Sequence, residues 1–319
     1  MADYINDNEI PVFLINGFLE SGKTAFINYT ISEEYFHIEG NTLLVITEQG
    51  EVEYDEKLLK REHTYPEIIE DQEEMTAEQL QSLLKKHGAE RVIIEFNGMW
   101  DPARLELPKD WVVYQQLTIM SGLTMDMYLN NMRSLMGPML KNSELCIVNR
   151  CDGVEKEKLY SWKKQLRPML LKGSDIVMEN RFGEIPLDTT AEDLPYDVTQ
   201  DPILIEPEDY GTWFLDIRDY PERYQGKNVQ FTACIMKHPM FPKGWFVPGR
   251  MAMTCCEADM SFLGYMAYYK DIDRFADDSW VKLTAKIDFR EMEAYEGKGP
   301  VLEVTRMIHT GEIREPAGF

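Results

Sequence analysis

The chain carries Gly17-Phe-Leu-Glu-Ser-Gly22-Lys23-Thr24, which fits Gly-x-x-x-x-Gly-Lys-[Ser/Thr] and limits the folds open to it more than any other stretch. An apolar run, Pro11-Val-Phe-Leu-Ile15, leads in as a buried strand, and residues 25–31 lead out as a helix. Strand, glycine loop and helix in that order make a phosphate-binding loop. Glycine lets the backbone curl until successive N–H groups face one anion, and the helix that follows adds its positive end. Gly17, Glu20, Ser21, Gly22, Lys23, Thr24 and Ala25 are therefore the expected phosphate cradle. Lys23 would reach the β- and γ-phosphates as a point charge, and Thr24 would offer its hydroxyl to Mg²⁺. The bland alternative is a relic loop that binds nothing.

Further strands follow the first. Residues 42–47, 91–96, 111–119, 145–149 and 175–178 are short apolar runs, separated by helix-like stretches at 56–61, 76–87, 123–140 and 155–170. Thr76 and Gln79 are placed like a capping box ahead of Leu80, Leu83 and Leu84. Near-continuous apolar strands alternating with helices predict an α/β nucleotide-binding domain with a mostly parallel sheet covered on both faces. Residues 183–209 change character, with Pro186, Pro195, Pro202 and Pro207 among many acids, and read as a linker or extended arm. From 210 onward five strand-like runs, at 228–237, 245–254, 262–269, 280–289 and 300–308, predict a small all-β, OB-like barrel. The expected domains are thus 1–182, a linker at 183–209, and 210–319.

The balance of 33 Lys and Arg against 56 Asp and Glu leaves a net charge of −23. Such a field repels phosphate backbones and argues against nucleic acid as a partner. It also means that the loop must hold its anion by local geometry. No segment of about 18 apolar residues is present, so no membrane insertion is expected. The acidic start of the chain lacks the layout of a signal peptide. Five cysteines, an odd number, fit free thiols in a reducing cytoplasm.

Two more stretches complete a nucleotide site. The 91–96 strand ends in Glu95-Phe-Asn-Gly98. There the carboxylate would hold Mg²⁺, directly or through water, and the Gly98 N–H would sense the γ-phosphate. The 145–149 strand ends in Asn149-Arg150-Cys-Asp152, which is close to Asn-Lys-x-Asp. An Asp carboxylate accepts from guanine N1–H and its exocyclic amine, which adenine cannot supply. Asn149 would fix the loop, and Arg150 would stack on the base. Lys23, Thr24 and Glu95 are accordingly the expected catalytic groups. Glu48, in a switch-like position after the second strand, is a further candidate for ordering Mg²⁺. The cofactors read from these residues are GTP or GDP with Mg²⁺.

In this order the motifs resemble the CobW-like GTPases, a metal-homeostasis branch of the P-loop enzymes. Residues 17–24, Glu48-Gln-Gly-Glu51 with Asp55, Ile93-Ile-Glu95-Phe-Asn-Gly98 with Asp101-Pro102, and residues 149–152 carry the likeness over roughly 10–182. The resemblance implies GTP hydrolysis, slow without help, on the order of 10⁻³ s⁻¹ or less. Stimulation by a partner or a homodimer stays open. It also implies a metal-handling role, with Zn²⁺ or another transition metal. Yet the family's Cys-x-Cys-Cys metal motif is missing, since 52–90 hold no Cys. His63 and its acidic neighbours read better as a solvated loop.

The C-terminal part is similar to the C-terminal domain of a bacterial permease-subunit family. Gly226-Lys-Asn-Val229 and Arg250 with Cys255, Cys256 and Asp259 carry that likeness. Cys255, Cys256 and Asp259 are candidates for a soft-metal site or a thiol pair, against the alternative of small core residues. The resemblance implies a metalloprotein client or a permease as partner. The sequence therefore predicts a cytoplasmic GTPase coupled to metal homeostasis through its barrel. The rivals are a nucleotide-gated scaffold that barely hydrolyses, and an ATP-dependent kinase or ligase.

Overall fold

The computed structural model describes residues 9–171, 173–187, 194–253, 260–295 and 297–318. Packing divides the chain into two compact units, 1–187 and 188–319.

The first unit is built on an eight-stranded sheet. Its strands are β1 (Ile10–Asn16), β2 (Asn41–Ile46), β3 (Thr64–Ile68), β4 (Ala89–Glu95), β5 (Trp111–Ser121), β6 (Leu145–Asn149), β7 (Asp175–Asn180) and β8 (Gly183–Glu184). They run in the order β3-β2-β4-β1-β5-β6-β7-β8, parallel throughout except for the last pair. Helices α1 (Lys23–Ser32), α2 (Glu56–Arg61), α3 (Ala77–His87), α4 (Met125–Asn131), α5 (Arg133–Leu140) and α6 (Lys156–Leu166) connect them.

The predicted double cover is visible residue by residue. Leu43, Val45, Val92 and Ile94 enter one core with Leu80, Leu83 and Leu84 of α3. Their chain neighbours Leu44, Ile46 and Ile93 enter another with Ile27 and Ile31 of α1 and Leu59 of α2. Alternate residues of one strand thus feed opposite faces, and neither face is left to water. Thr76 caps α3 as predicted, its hydroxyl accepting from the Gln79 N–H at 3.2 Å.

Two details differ from expectation. The acidic stretch after β2 contains strand β3, which carries Pro66 and is mostly exposed. An edge strand needs little burial and tolerates proline, so it gives no apolar signal. The single helix predicted over 123–140 is two, separated at Met132, where φ is −131°.

The second unit contains β9 (Ile203–Leu204), α7 (Tyr210–Asp219), β10 (Asn228–Met236), β11 (Trp245–Met253), β12 (Met260–Gly264), β13 (Met266–Tyr268), β14 (Trp280–Met292) and β15 (Gly297–His309). Pairing runs β10-β11-β13-β15-β14 and returns to β10, closing a five-strand barrel. Only β13 and β15 are parallel within that ring. The strand predicted over 262–269 is broken at Tyr265, whose buried side chain donates to the Phe214 carbonyl at 2.6 Å. Trp213 of α7 fills the core, 4.9 Å from the Phe231 ring and 6.0 Å from Tyr265. Tyr196, Val198, Ile203 and Ile205 join the same core, and β9 adds to β10. Residues 194–205 are therefore packed structure of the second unit, because their apolar side chains have a core to enter. No helix among the described residues is long and apolar enough to cross a membrane.

Candidate nucleotide site

In a parallel sheet the carboxyl ends of the strands open together, and ligands bind there. Asn16 of β1, Glu95 of β4 and Asn149 of β6 all stand at such ends, and Glu48 follows β2 by two residues. Glu48 and Glu95 border a cleft of about 320 Å³, open to solvent. Glu20, Gly22, Lys23, Thr24, Ala25, Glu48, Glu95 and Arg150 line it, joined by Leu19, Gly50 and Val52.

The loop between β1 and α1 has the curl expected of it. Gly22 sits at φ 103° as the cap of α1, a conformation that favours glycine. Gly98 packs directly on the loop: its N–H donates to the Gly17 carbonyl at 3.1 Å. A Cβ at Gly98 would lie 2.7 Å from the Gly17 carbonyl carbon, so the close approach itself requires glycine. The Ser21 hydroxyl is buried without a hydrogen-bond partner.

Lys23 is buried and fully engaged. Its Nζ donates to the Gly17 and Phe18 carbonyls at 2.8 and 3.0 Å and pairs with Glu48 Oε1. A buried ammonium needs such partners to offset its lost hydration. Glu95 is 3% exposed. Its Oε1 accepts from Thr24 Oγ1 at 2.9 Å, and its Oε2 accepts from the Tyr54 hydroxyl. Burial pushes the Glu95 carboxyl up, and the Tyr54 bond and the Lys23 charge pull it back. Burial, and then the Glu95 charge, push the Tyr54 phenol up as well. The Thr24 hydroxyl and the Glu95 carboxylate are oxygen donors of the type that Mg²⁺ takes.

The opposite end of the cleft is more open. Asn149 Nδ2 donates to the Ser21 carbonyl at 2.8 Å, tying the end of β6 to the phosphate loop. Its Oδ1 is buried without a partner. Arg150, at φ 54°, donates from Nη1 to the Glu20 carbonyl at 2.6 Å. Asp152 is exposed and accepts from Arg181 Nε at 2.5 Å, which holds its carboxyl below the usual range. Cys151 is buried between them, its N–H bonded to the Glu179 carbonyl, and burial pushes its thiol up to about 11.

The structure thus brings Gly17, Glu20, Ser21, Gly22, Lys23, Thr24, Ala25, Glu48, Glu95, Gly98, Asn149 and Arg150 into one neighbourhood, with Asp152 at its rim. Cys255, Cys256 and Asp259 lie outside the described residues. Among the described residues no three His, Cys, Asp or Glu side chains converge on a metal position. Two of the acids after β2 are used in ion pairs: Glu62 with His37 and Arg61, and Glu67 with Lys86 and His87. Two participants were not foreseen, Tyr54 and Arg181. Nothing local marks them, because Tyr54 stands 41 residues before its partner Glu95 and Arg181 stands 29 after Asp152.

The family profile described as the CobW/HypB/UreG nucleotide-binding domain matches residues 11–174, about half of the chain. The chain belongs to the CobW/HypB/UreG family. The matched stretch holds every element that shapes the cleft, so the first unit is the family's nucleotide-binding domain. Beyond this CobW/HypB/UreG domain, the DUF1980 C-terminal domain profile matches residues 183–317. Among solved structures, the hydrogenase maturation factor HypB from Archaeoglobus fulgidus is similar at 18% identity and a TM-score of 0.37, over 54% of this chain and 82% of that one. HypB from Helicobacter pylori, solved in complex with nickel, is similar at 15% identity and a TM-score of 0.37, over 54% of this chain and 80% of that one. No curated protein matches the chain.

Proposed function

We propose that the first unit binds GTP with Mg²⁺ in the cleft and hydrolyses it slowly, and that nucleotide state is passed to the barrel for a role in metal homeostasis in the cytoplasm. The observation that carries this reading is the meeting of Lys23, Thr24 and Glu95 at adjoining strand ends, with Asn149 bonded to the same loop.

The residues divide the work by position. The backbone of 17–25 wraps the phosphates. Lys23 exchanges its Glu48 partner for phosphate oxygens. This exchange is needed because the ammonium is already saturated by two carbonyls and a carboxylate. Thr24 and Glu95 would hold Mg²⁺, which when bound neutralises charge on the β- and γ-phosphates. Once Glu48 has given up Lys23, residues 48–56 and Gly98 become ordered around the γ-phosphate. Asn149 holds the base-side loop in place, and Asp152 turns from Arg181 to guanine. An exposed pair of this kind is worth little and is cheaply exchanged.

The test is nucleotide preference followed by turnover. Asp152→Ala should reduce the preference for GTP over ATP by about tenfold, the loss of one or two charge-assisted hydrogen bonds. An unchanged preference would point to an ATP-dependent enzyme instead. Multiple-turnover GTP hydrolysis, with and without Zn²⁺, then separates a GTPase from a nucleotide-gated scaffold that docks a permease or another protein. One observation favours the scaffold: among the described residues, the only guanidinium lining the cleft, that of Arg150, is occupied by the Glu20 carbonyl. Elemental analysis of the purified full-length chain tests the metal role, with Cys255→Ser and Cys256→Ser locating any metal found.

A further inference from the structure

Between β2 and α2, residues 48–54 are tied to residues that line the cleft at three points. Glu48 pairs with Lys23, the Glu51 N–H donates to Glu20 Oε1 at 2.8 Å, and the Tyr54 hydroxyl donates to Glu95 Oε2. The third tie differs from the others. Glu48 lines the cleft and Glu51 offers only its backbone N–H, whereas Tyr54 lies outside the lining and reaches in with its side chain. Its ring is half-buried against the cluster that includes Ile27, Ile31 and Leu59, and the hydroxyl alone reaches the site. Tyr54 therefore acts on the cleft through Glu95.

Glu95 depends on that contact. Among the described residues its side chain has two donors, Thr24 Oγ1 on one oxygen and Tyr54 on the other. The Thr24 hydroxyl is itself a candidate cation ligand, so it cannot be the fixed reference for the carboxylate. Tyr54 can be, because its ring is held by packing. Donors behind a metal-binding group fix its orientation, and removing one typically weakens metal binding by ten- to a hundredfold.

We propose that Tyr54 is a positioning residue for the divalent cation at Glu95: its hydroxyl sets the direction of the carboxylate, and through the same bond a bound cation holds residues 48–54 against the phosphate loop. The proposal rests on the Mg²⁺–nucleotide reading above. By linkage, whatever the closed segment adds to cation affinity the cation adds to closure.

Tyr54→Phe keeps the ring in its packing and deletes one oxygen. The affinity of a fluorescent, non-hydrolysable GTP analogue is measured in Mg²⁺ and in EDTA for the full chain and the variant. Hydrogen exchange over residues 48–56 is followed under the same conditions, after melting temperatures show both proteins folded. The gain in affinity due to Mg²⁺ should fall about tenfold in the variant. The protection that Mg²⁺ and analogue confer on 48–56 should fall with it. A gain and a protection equal to the parent's would overturn the role of Tyr54 while leaving the nucleotide reading standing. A parent chain that binds the analogue equally in Mg²⁺ and EDTA would overturn the cation reading, and this proposal with it.

Discussion

Strands β4 and β10 bury their residues by different rules. From Arg91 to Glu95 every residue of β4 is buried. In β10 only Val229, Phe231, Ala233 and Ile235 are buried, and the residues between them are not. The difference follows from what lies on each side. In the first unit β4 has a packed layer on both faces, so it offers no face to a ligand. Function there is confined to the strand ends, and the cleft lies at those ends. The barrel encloses its core and turns alternate side chains outward, so a partner of the second unit would meet its outer face or its rims. Even the charges of β4 obey its rule. Arg91 donates to the Thr42 hydroxyl and the Phe36 carbonyl, and Glu95 accepts from Thr24 and Tyr54, so neither is buried alone.

The largest effect that would test this contrast is in the barrel. Trp213→Ala should destabilise the second unit by roughly 3–5 kcal/mol, the usual cost of deleting a buried aromatic. Nucleotide affinity should change less than about twofold if the two units behave separately, since effects at independent sites add. A parallel loss of nucleotide binding, read by titration of the variant, would show that the units do not behave separately.

Next in size is Lys23→Ala, expected to lower nucleotide affinity by at least about a hundredfold. It removes the one buried ammonium of the cleft and leaves Glu48 without its partner. Calorimetric unfolding of the barrel should not move. Retained affinity would mean that the backbone nest alone holds the phosphates.

Gly98→Ala is the next step down. The added methyl must push the Gly17 peptide away, at a cost of about 1–3 kcal/mol for an overpacked site. Because that peptide begins the phosphate loop, affinity should fall along with melting temperature. Loss of stability with full affinity would show that the loop re-forms around its ligand.

The smallest effect concerns chemistry at a buried group. Burial pushes the Cys146 thiol up to about 12, so little thiolate exists at pH 8. Site-resolved alkylation of Cys146 should proceed only as fast as the sheet opens. Fast labelling at neutral pH would contradict the double cover of the first sheet.

Local chemistry made much of this legible in advance. Gly22, Lys23 and Thr24 identify a phosphate loop because the geometry that binds an anion needs those residue types at that spacing. The apolar runs that become β1, β2, β4 and β6 identify buried parallel strands, since they are short, rich in Val and Ile, and alternate with helix-like stretches. Thr76 marks the start of α3, and Pro239, Pro242 and Gly244 lie between β10 and β11, although Pro248 and Gly249 fall inside β11. Where the signal was weak, the physics explains it. Strand β3 is polar because it lies at an edge. Residues 194–205 look like a linker because Pro195, Asp197 and Asp201 hide the few side chains that enter the barrel core.

The sequence by itself determined β1, β2, β4, β6 and α3, the phosphate-type loop and its Glu95 and Asn149 companions, because each is specified by neighbours within a few residues. Only the tertiary structure decided which of them meet. It placed β4 beside β1, which lets Gly98 close on Gly17. It closed the barrel through β10 and β11 and ran β13 parallel to β15. It also paired Lys23 with Glu48 and Glu95 with Tyr54, contacts that span 25 and 41 residues. Contacts at that range depend on strand order and register. These are set by the burial of the whole sheet and not by the residues that end up touching.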